Sequence, residues 1–185
     1  MDEAMRRMRI RRVLPLIRQS TQCKLLDVGC GCEASLLKSV EPYIDSGVGV
    51  DFKAPDLESA KLKTIPVTFD DKLPFDDNSF DVVTLMAVLE HLEKPLEILR
   101  EIRRVLKKSD AGDGILVGTV PSKAAKPVLE FMAYKLRIIS ATEISDHKRY
   151  YNKLDLIEIL TEAGFEYVTC RYFQFGMNNF FSARV

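Results

Sequence analysis

The sequence carries no net formal charge, because 27 basic and 27 acidic residues balance within its 185 residues. A neutral chain sets up no global field to draw in nucleic acid or an anionic membrane, so no nucleic-acid partner is expected without a local patch. Histidine is scarce, with only His91 and His147 present, and the four cysteines (Cys23, Cys30, Cys32 and Cys170) form no Cys-x-x-Cys pair. Zinc sites usually draw ligands from spaced pairs of these residues, so no metal centre is expected. The same thiols read as reduced, which places the chain in a reducing compartment, the cytoplasm. No apolar run approaches the roughly 20 residues that cross a bilayer, so no transmembrane segment is expected. The first twenty residues hold six arginines without a continuous apolar stretch and do not read as a secretory signal. Internal repeats and low-complexity segments are also lacking. Oligomeric state has no signature in the sequence.

What remains is the composition of a globular chain, 46% hydrophobic and 29% charged, long enough for one domain over residues 1–185. Residues 4–18 read as a basic helix with Ile10, Val13, Leu14 and Ile17 at helical spacing, within an N-terminal segment of residues 1–20. Lys24–Val28 is a short apolar strand broken by Gly29 and Gly31, and a helix follows over 33–40. Further strands are expected at 47–50, 65–69, 80–86 and 115–120, with a helix over 93–107. The run FDVVTLM at 80–86 is apolar almost throughout, as in strands buried on both faces of a parallel sheet. Residues 122–139 read as helix, Asn152 as the cap of a helix with Asp155 three residues on, and 167–173 and 177–185 as an antiparallel pair. Strand–helix alternation predicts an α/β Rossmann-like doubly wound sheet, mostly parallel with an antiparallel last strand, and helices on both faces. Ligands of such sheets bind outside the carboxyl ends of the strands, where strand order reverses.

Four segments sit just after those strands. LLDVGCGCEA (25–34) feeds a strand into a glycine turn, where Gly29 and Gly31 allow a ligand close to the backbone. GVGVD (47–51) puts Asp51 at a strand end, either to accept ribose hydroxyls or to cap the next segment. DDKLPFDDNSFDVV (70–83) offers Asp70 and Asp71 to an adenine amine, then an apolar elbow of Leu73, Pro74 and Phe75. Its five aspartates read as a solvated loop rather than a metal site. MAVLEHL (86–92) places Glu90 and His91 at the mouth of the cleft, His91 as either a general base or a loop-holding residue.

Together these segments resemble class I S-adenosylmethionine-dependent methyltransferases, most closely the small enzymes that include the ubiquinone and menaquinone biosynthesis methyltransferases. HKRYYNKLDLIEILTEAGF (147–165) resembles the run that closes their core before the last two strands. The resemblance implies S-adenosylmethionine as cofactor and methyl transfer by in-line displacement to a small-molecule acceptor. Carried over by position, it puts Asp27, Gly29, Cys30 and Gly31 against the methionine part and Asp51 on the ribose. Phe52 falls beside the adenine, Asp70 or Asp71 near its amine, and Met86 and Ala87 at the amino-acid end. His91 and His147 are the candidate bases. Glu33 stands where the family often has a third glycine, so its side chain either crowds the methionine carboxylate or points away. Residues 122–150 and the arginine-rich N-terminal helix are candidates for the acceptor pocket. Two other readings compete. GCGCEA fits G-x-G-x-x-A with an acid about 20 residues later, as in nicotinamide-dependent oxidoreductases. Glu33 also suits a methyltransferase-like binding subunit without turnover.

Overall fold

The computed structural model describes residues 3–19, 23–69, 72–108, 113–131 and 148–185. In chain order the elements are α1 (Glu3–Ile17), β1 (Lys24–Val28), α2 (Ser35–Val40), a 3-10 turn at Glu41–Tyr43, β2 (Ser46–Asp51) and β3 (Leu62–Pro66). They continue with β4 (Val82–Met86), α3 (Pro95–Val105), β5 (Ile115–Pro121), α4 (Ala125–Glu130), α5 (Lys153–Glu162), β6 (Glu166–Phe173) and β7 (Asn178–Arg184). The strands form one sheet in the order β3-β2-β1-β4-β5-β7-β6. The first five pair in parallel, while β7 lies antiparallel to both β5 and β6. This is the Rossmann-like architecture that the alternation of strands and helices predicts.

Side chains that alternate along each strand feed two cores. Leu26, Val28, Val83, Leu85 and Leu116 share one core with Ile98, Leu99 and Ile102 of α3 and Leu156 and Leu160 of α5. Leu25, Val82, Ile115 and Val117 share the other with Val13 and Ile17 of α1 and Leu37 and Val40 of α2. Every residue of β4 and β5 is buried, as their near-continuous apolar runs require. Fully burying one such Leu or Val contributes about 1.5–3 kcal/mol, so the two cores dominate the stability of the sheet.

Some element ends differ from the sequence reading, for local reasons. β3 begins at Leu62 and ends at Pro66 instead of covering 65–69. β2 sets these limits, because Asp51 is its last residue and pairs with Pro66, leaving residues 67–69 no strand to join. α2 begins at Ser35, two residues late, because Ala34 is left-handed with φ 47°. α3 begins with Pro95 in its first turn, where a missing N–H costs nothing. It stops at Val105 because Leu106 turns extended and bridges to Phe80. α1 runs on through Pro15. The helix expected over 122–139 is described as Ala125–Glu130, and residues 132–147 lie outside the described residues.

Two polar devices fix the joints. Arg104 of α3 donates to both carboxylate oxygens of Glu101, to Asp77 and to the carbonyls of Phe75 and Leu73, at 2.7–3.1 Å. These bonds use all five guanidinium N–H groups and clamp the Leu73–Phe75 elbow to the helix. At the start of α5, Asn152 Oδ1 accepts from Asp155 N at 2.9 Å and Asp155 Oδ2 accepts from Asn152 N at 2.8 Å. This reciprocal box satisfies two end groups at once. Asn152→Ala is expected to lower stability by about 1 kcal/mol in urea unfolding; an unchanged midpoint would show that the box contributes nothing.

The sheet order creates the crevice. From β1 the chain moves outward through β2 to β3, then returns to place β4 on the other side of β1 and β5 beyond it. Connections from β1 and β4 therefore leave in opposite directions, which opens a gap at their carboxyl ends. Val28 of β1 pairs with Val50 of β2 and Leu85 of β4, so the three strand ends are level there.

Candidate functional site

The glycine turn after β1 is pinned to the end of β2. The N–H groups of Gly29 and Cys30 both donate to the Val50 carbonyl, at 2.8 and 3.1 Å. Gly29 and Gly31 have φ of 79° and 68°, a left-handed conformation that glycine adopts without strain. A Cβ on Gly29 would lie 2.2 Å from Val88 Cγ2, whereas one on Gly31 would meet nothing within 4 Å. The first glycine thus lets the post-β4 loop pack against the turn. The second faces open space, a cradle that a ligand can fill.

Asp51 is 8% exposed, and its carboxylate is oriented from both sides. Oδ2 accepts from Gly31 N at 3.0 Å and Oδ1 from Lys53 N at 2.8 Å. A carboxylate has about four lone-pair sites, so two remain for ligand hydroxyls. Asp27, on β1, is buried and accepts from the Thr84 hydroxyl at 2.7 Å. Burial pushes its pKa up to about 6 against the opposing Thr84 bond, and the Asp51 charge adds to the rise. Beyond β4, Ala87 takes φ 58° while its N–H donates to the Thr119 carbonyl at 2.9 Å. A non-glycine residue held at positive φ beside a cleft marks a turn fixed by its surroundings.

These residues border two cavities that share Gly29. One, of about 600 Å³, runs between Asp51, Phe52 and Phe69 on one side and Ala87, Val88 and His91 on the other, with Lys148 at its edge. The second, of about 270 Å³, lies over the glycine turn between Arg9, Asp27, Glu33 and Met86. Phe52 is 63% exposed at the rim of the first, with the Lys53 ammonium 4.9 Å from its ring centroid. Glu33 is exposed and accepts from the Ser35 hydroxyl at 2.9 Å, so it borders the second cavity and does not form its floor. Asp70, Asp71 and His147 lie outside the described residues, although Phe69, beside the two aspartates, lines the larger cavity. Among the described residues, no group of three His, Cys, Asp or Glu side chains is arranged to hold a metal ion. No helix among them is long and apolar enough to cross a membrane.

Two ionisable side chains at the site lie deeper than the sequence reading places them. Arg9 is 8% exposed despite lying in a segment with five other arginines. It is one turn from Val13 and two from Ile17, both fully buried, and this i, i+4, i+8 spacing is the signal that separates it from its neighbours. Glu90 is 1% exposed behind the post-β4 loop. Its Oε2 has no hydrogen-bond partner among the described residues, while its carbonyl accepts from the N–H groups of Lys148 and Arg149 at 2.9 and 3.2 Å. Burial pushes its carboxyl pKa up to about 8, opposed by its own backbone N–H and by the Arg9 charge.

Comparison with known proteins finds similarity to methyltransferases over part of this chain. Residues 26–111 match the family model described as a methyltransferase domain. A demethylmenaquinone methyltransferase of Staphylococcus saprophyticus is 35% identical over 136 residues, which cover 68% of this chain and 56% of that protein. The chain therefore spans about half the length of the curated relatives it matches. Among solved structures, an S-adenosylmethionine-dependent methyltransferase from Archaeoglobus fulgidus superposes with a TM-score of 0.66 at 17% identity, covering 97% of this chain and 94% of its own. The [4+2]-cyclase SpnF superposes with a TM-score of 0.65 at 20% identity, covering 94% of this chain and 80% of its own. At such identities the likeness extends to the fold.

Proposed function

We propose that this chain is a class I S-adenosylmethionine-dependent methyltransferase that transfers the cofactor's methyl group to a small, quinone-like acceptor. The observation that carries the reading is the two-part crevice joined at Gly29, with an oriented carboxylate on one side and a glycine cradle on the other. When bound, S-adenosylmethionine supplies a methyl group made electrophilic by its sulfonium. The chain's own part is to bind and align. Asp51 accepts the ribose hydroxyls, Phe52 lies beside the adenine with Asp70 or Asp71 near its amine, and Gly29, Cys30 and Gly31 face the methionine part. Met86 and Ala87 bound its amino-acid end.

Methyl transfer of this kind demands little of side chains, since alignment of acceptor and methyl supplies much of the acceleration. Val88 and Leu92 give the larger cavity an apolar wall suited to an aromatic ring, and the demethylmenaquinone methyltransferase relative favours a ring of quinone type. His91, on that wall, is the group placed to take a proton if the acceptor carries a hydroxyl; His147 is the other candidate base. The four free thiols suit a reaction in the cytoplasm.

Calorimetric titration with S-adenosylmethionine and S-adenosylhomocysteine, with NAD as control, tests the cofactor. Micromolar binding of the first two is expected, weakened about a hundredfold or more in Asp51→Ala, because two bonds to a charged acceptor are lost. Binding of NAD alone would overturn the reading. Methyl transfer from labelled cofactor to a demethylated naphthoquinol then tests the acceptor class.

A further inference from the structure

We infer that the turn joining β6 to β7, with the basic face of α1 and the start of α4 beside it, is a surface that docks on an anionic phospholipid bilayer.

The turn spans residues 174–177, and an aromatic ring stands at its tip. Phe175 is fully exposed. Gln174, Phe175 and Gly176 take φ of 51°, 55° and 86°. Asn-Gly meets such left-handed positions with little strain, whereas a bulky aromatic meets them at a cost. Packing within the chain gives no return for that cost, because the ring is fully exposed. Strain held at an exposed position points to a function for the side chain displayed there.

The register places the turn. Asn178, the first residue of β7, pairs with Pro121, the last of β5, while Met86, the last of β4, pairs with Thr119. β5 therefore overruns β4 by two residues, about 7 Å at the rise of a strand, and the turn begins beyond it. It stands on the carboxyl side of the sheet, where the crevice opens. Gln174 Nε2 reaches Met8 Sδ of α1 at 4.0 Å. On the other side, Ser122 ties the turn to the lead into α4. Its N–H donates to the Met177 carbonyl at 2.9 Å and its hydroxyl to the Gly176 carbonyl at 2.6 Å.

The surroundings are basic. α1 carries five arginines against one acid, Glu3. Arg7 and Arg11 are exposed, one turn apart on the face opposite Val13 and Ile17. Arg12 lies over the Phe173 ring at 4.3 Å. Arg171 of β6 and Lys126 of α4 are exposed, and Val128 of α4 adds an exposed apolar side chain. A convex aromatic tip among cations suits a lipid interface, where rings settle at the headgroup level and each cation adds to the attraction of an anionic surface. A nucleic acid duplex would answer the cations but give the ring no apolar layer to enter. Docked in this way, the crevice opens toward the bilayer, from which a lipid-soluble acceptor reaches it without crossing water.

Vesicle flotation tests this without cofactor or acceptor, so the outcome is independent of the proposed reaction. Wild type is expected to float with vesicles in which about one third of the lipid is phosphatidylglycerol and not with vesicles of phosphatidylcholine alone, and added salt is expected to release it. Phe175→Asn is expected to weaken binding about tenfold, since the ring's burial is lost. Its urea midpoint should match or exceed that of wild type, because Asn accepts the left-handed backbone. Arg11→Gln combined with Arg171→Gln is expected to weaken binding about twentyfold, roughly fivefold for each charge. Affinity for S-adenosylmethionine should stay unchanged in all of these variants, since Phe175, Arg11 and Arg171 border neither cavity. Absence of wild-type flotation, equal binding to both kinds of vesicle, or full binding by Phe175→Asn overturns the inference. So does retention of a stem-loop RNA in place of the anionic vesicles.

Discussion

Glu90→Gln is expected to flatten most of the pH dependence of stability between about pH 5 and 9. Burial pushes the Glu90 carboxyl from an ordinary 4.5 up to about 8, with its own backbone N–H and the Arg9 charge pulling the other way. Across that interval the folded chain holds a proton that the unfolded chain has released. Stability is therefore fully present below about pH 4.5 and declines as pH rises through 8. A tenfold difference in proton affinity between the folded and unfolded chains is worth about 1.4 kcal/mol, so the whole decline is on the order of 5 kcal/mol. Gln cannot titrate, so the variant should lose that slope and become the more stable protein at the alkaline end. Asp27, raised from 3.8 to about 6, remains in the variant and leaves a smaller decline confined to the acid side. Urea unfolding at pH 5, 7 and 9 measures both. Parallel slopes for wild type and variant would show that Glu90 keeps its charge when buried.

Gly29→Ala is expected to remove cofactor binding and to destabilise the fold by about 2–5 kcal/mol. A Cβ there lies 2.2 Å from Val88 Cγ2, on a residue with φ 79°. Left-handed strain costs roughly 1–2 kcal/mol and forced overpacking a further 1–3. The neighbouring Gly31 makes the contrast. Its φ is 68° but its Cβ would meet nothing within 4 Å, so Gly31→Ala should carry only the strain, roughly 1–2 kcal/mol. Cofactor affinity should nevertheless fall, because the new methyl group enters the ligand's space. Urea unfolding and calorimetry on both variants separate the two effects. Equal destabilisation of both would remove the distinction between a packing glycine and a cradle glycine.

The parallel half of the sheet is readable in the sequence because β1, β2 and β5 are runs ended by glycine, aspartate and proline, while β4 is apolar almost throughout. β3 is displaced from its expected place because its limits belong to its partner: nothing in 65–69 announces that β2 ends opposite Pro66. The glycine turn and Asp51 follow from spacing, and the structure brings them into direct contact through the Gly31 N–H. Arg9 stands among six arginines in the first twenty residues. Its helical spacing from Val13 and Ile17 is visible there, but an arginine on a buried stripe is easily counted as part of a solvated face. Glu90 reads as a residue of the cleft mouth, whereas its carboxyl lies buried behind the loop, a depth that no local pattern encodes. Asp70, Asp71 and His147 lie outside the described residues. The acceptor is least legible of all, since a fold also adopted by a cyclase leaves the reaction to the groups grafted on it.

β7 enters the sheet between β5 and β6, so the strand made later takes the inner place. During synthesis the chain emerges from its N-terminus, and β1 to β5 can assemble with α1, α2 and α3 while β6 still has no seat. Until β7 arrives, β5 presents an open apolar edge, the kind of surface that recruits other strands. A ribosome stalled after Phe173 would therefore expose a nearly finished sheet with the β5 border still bare.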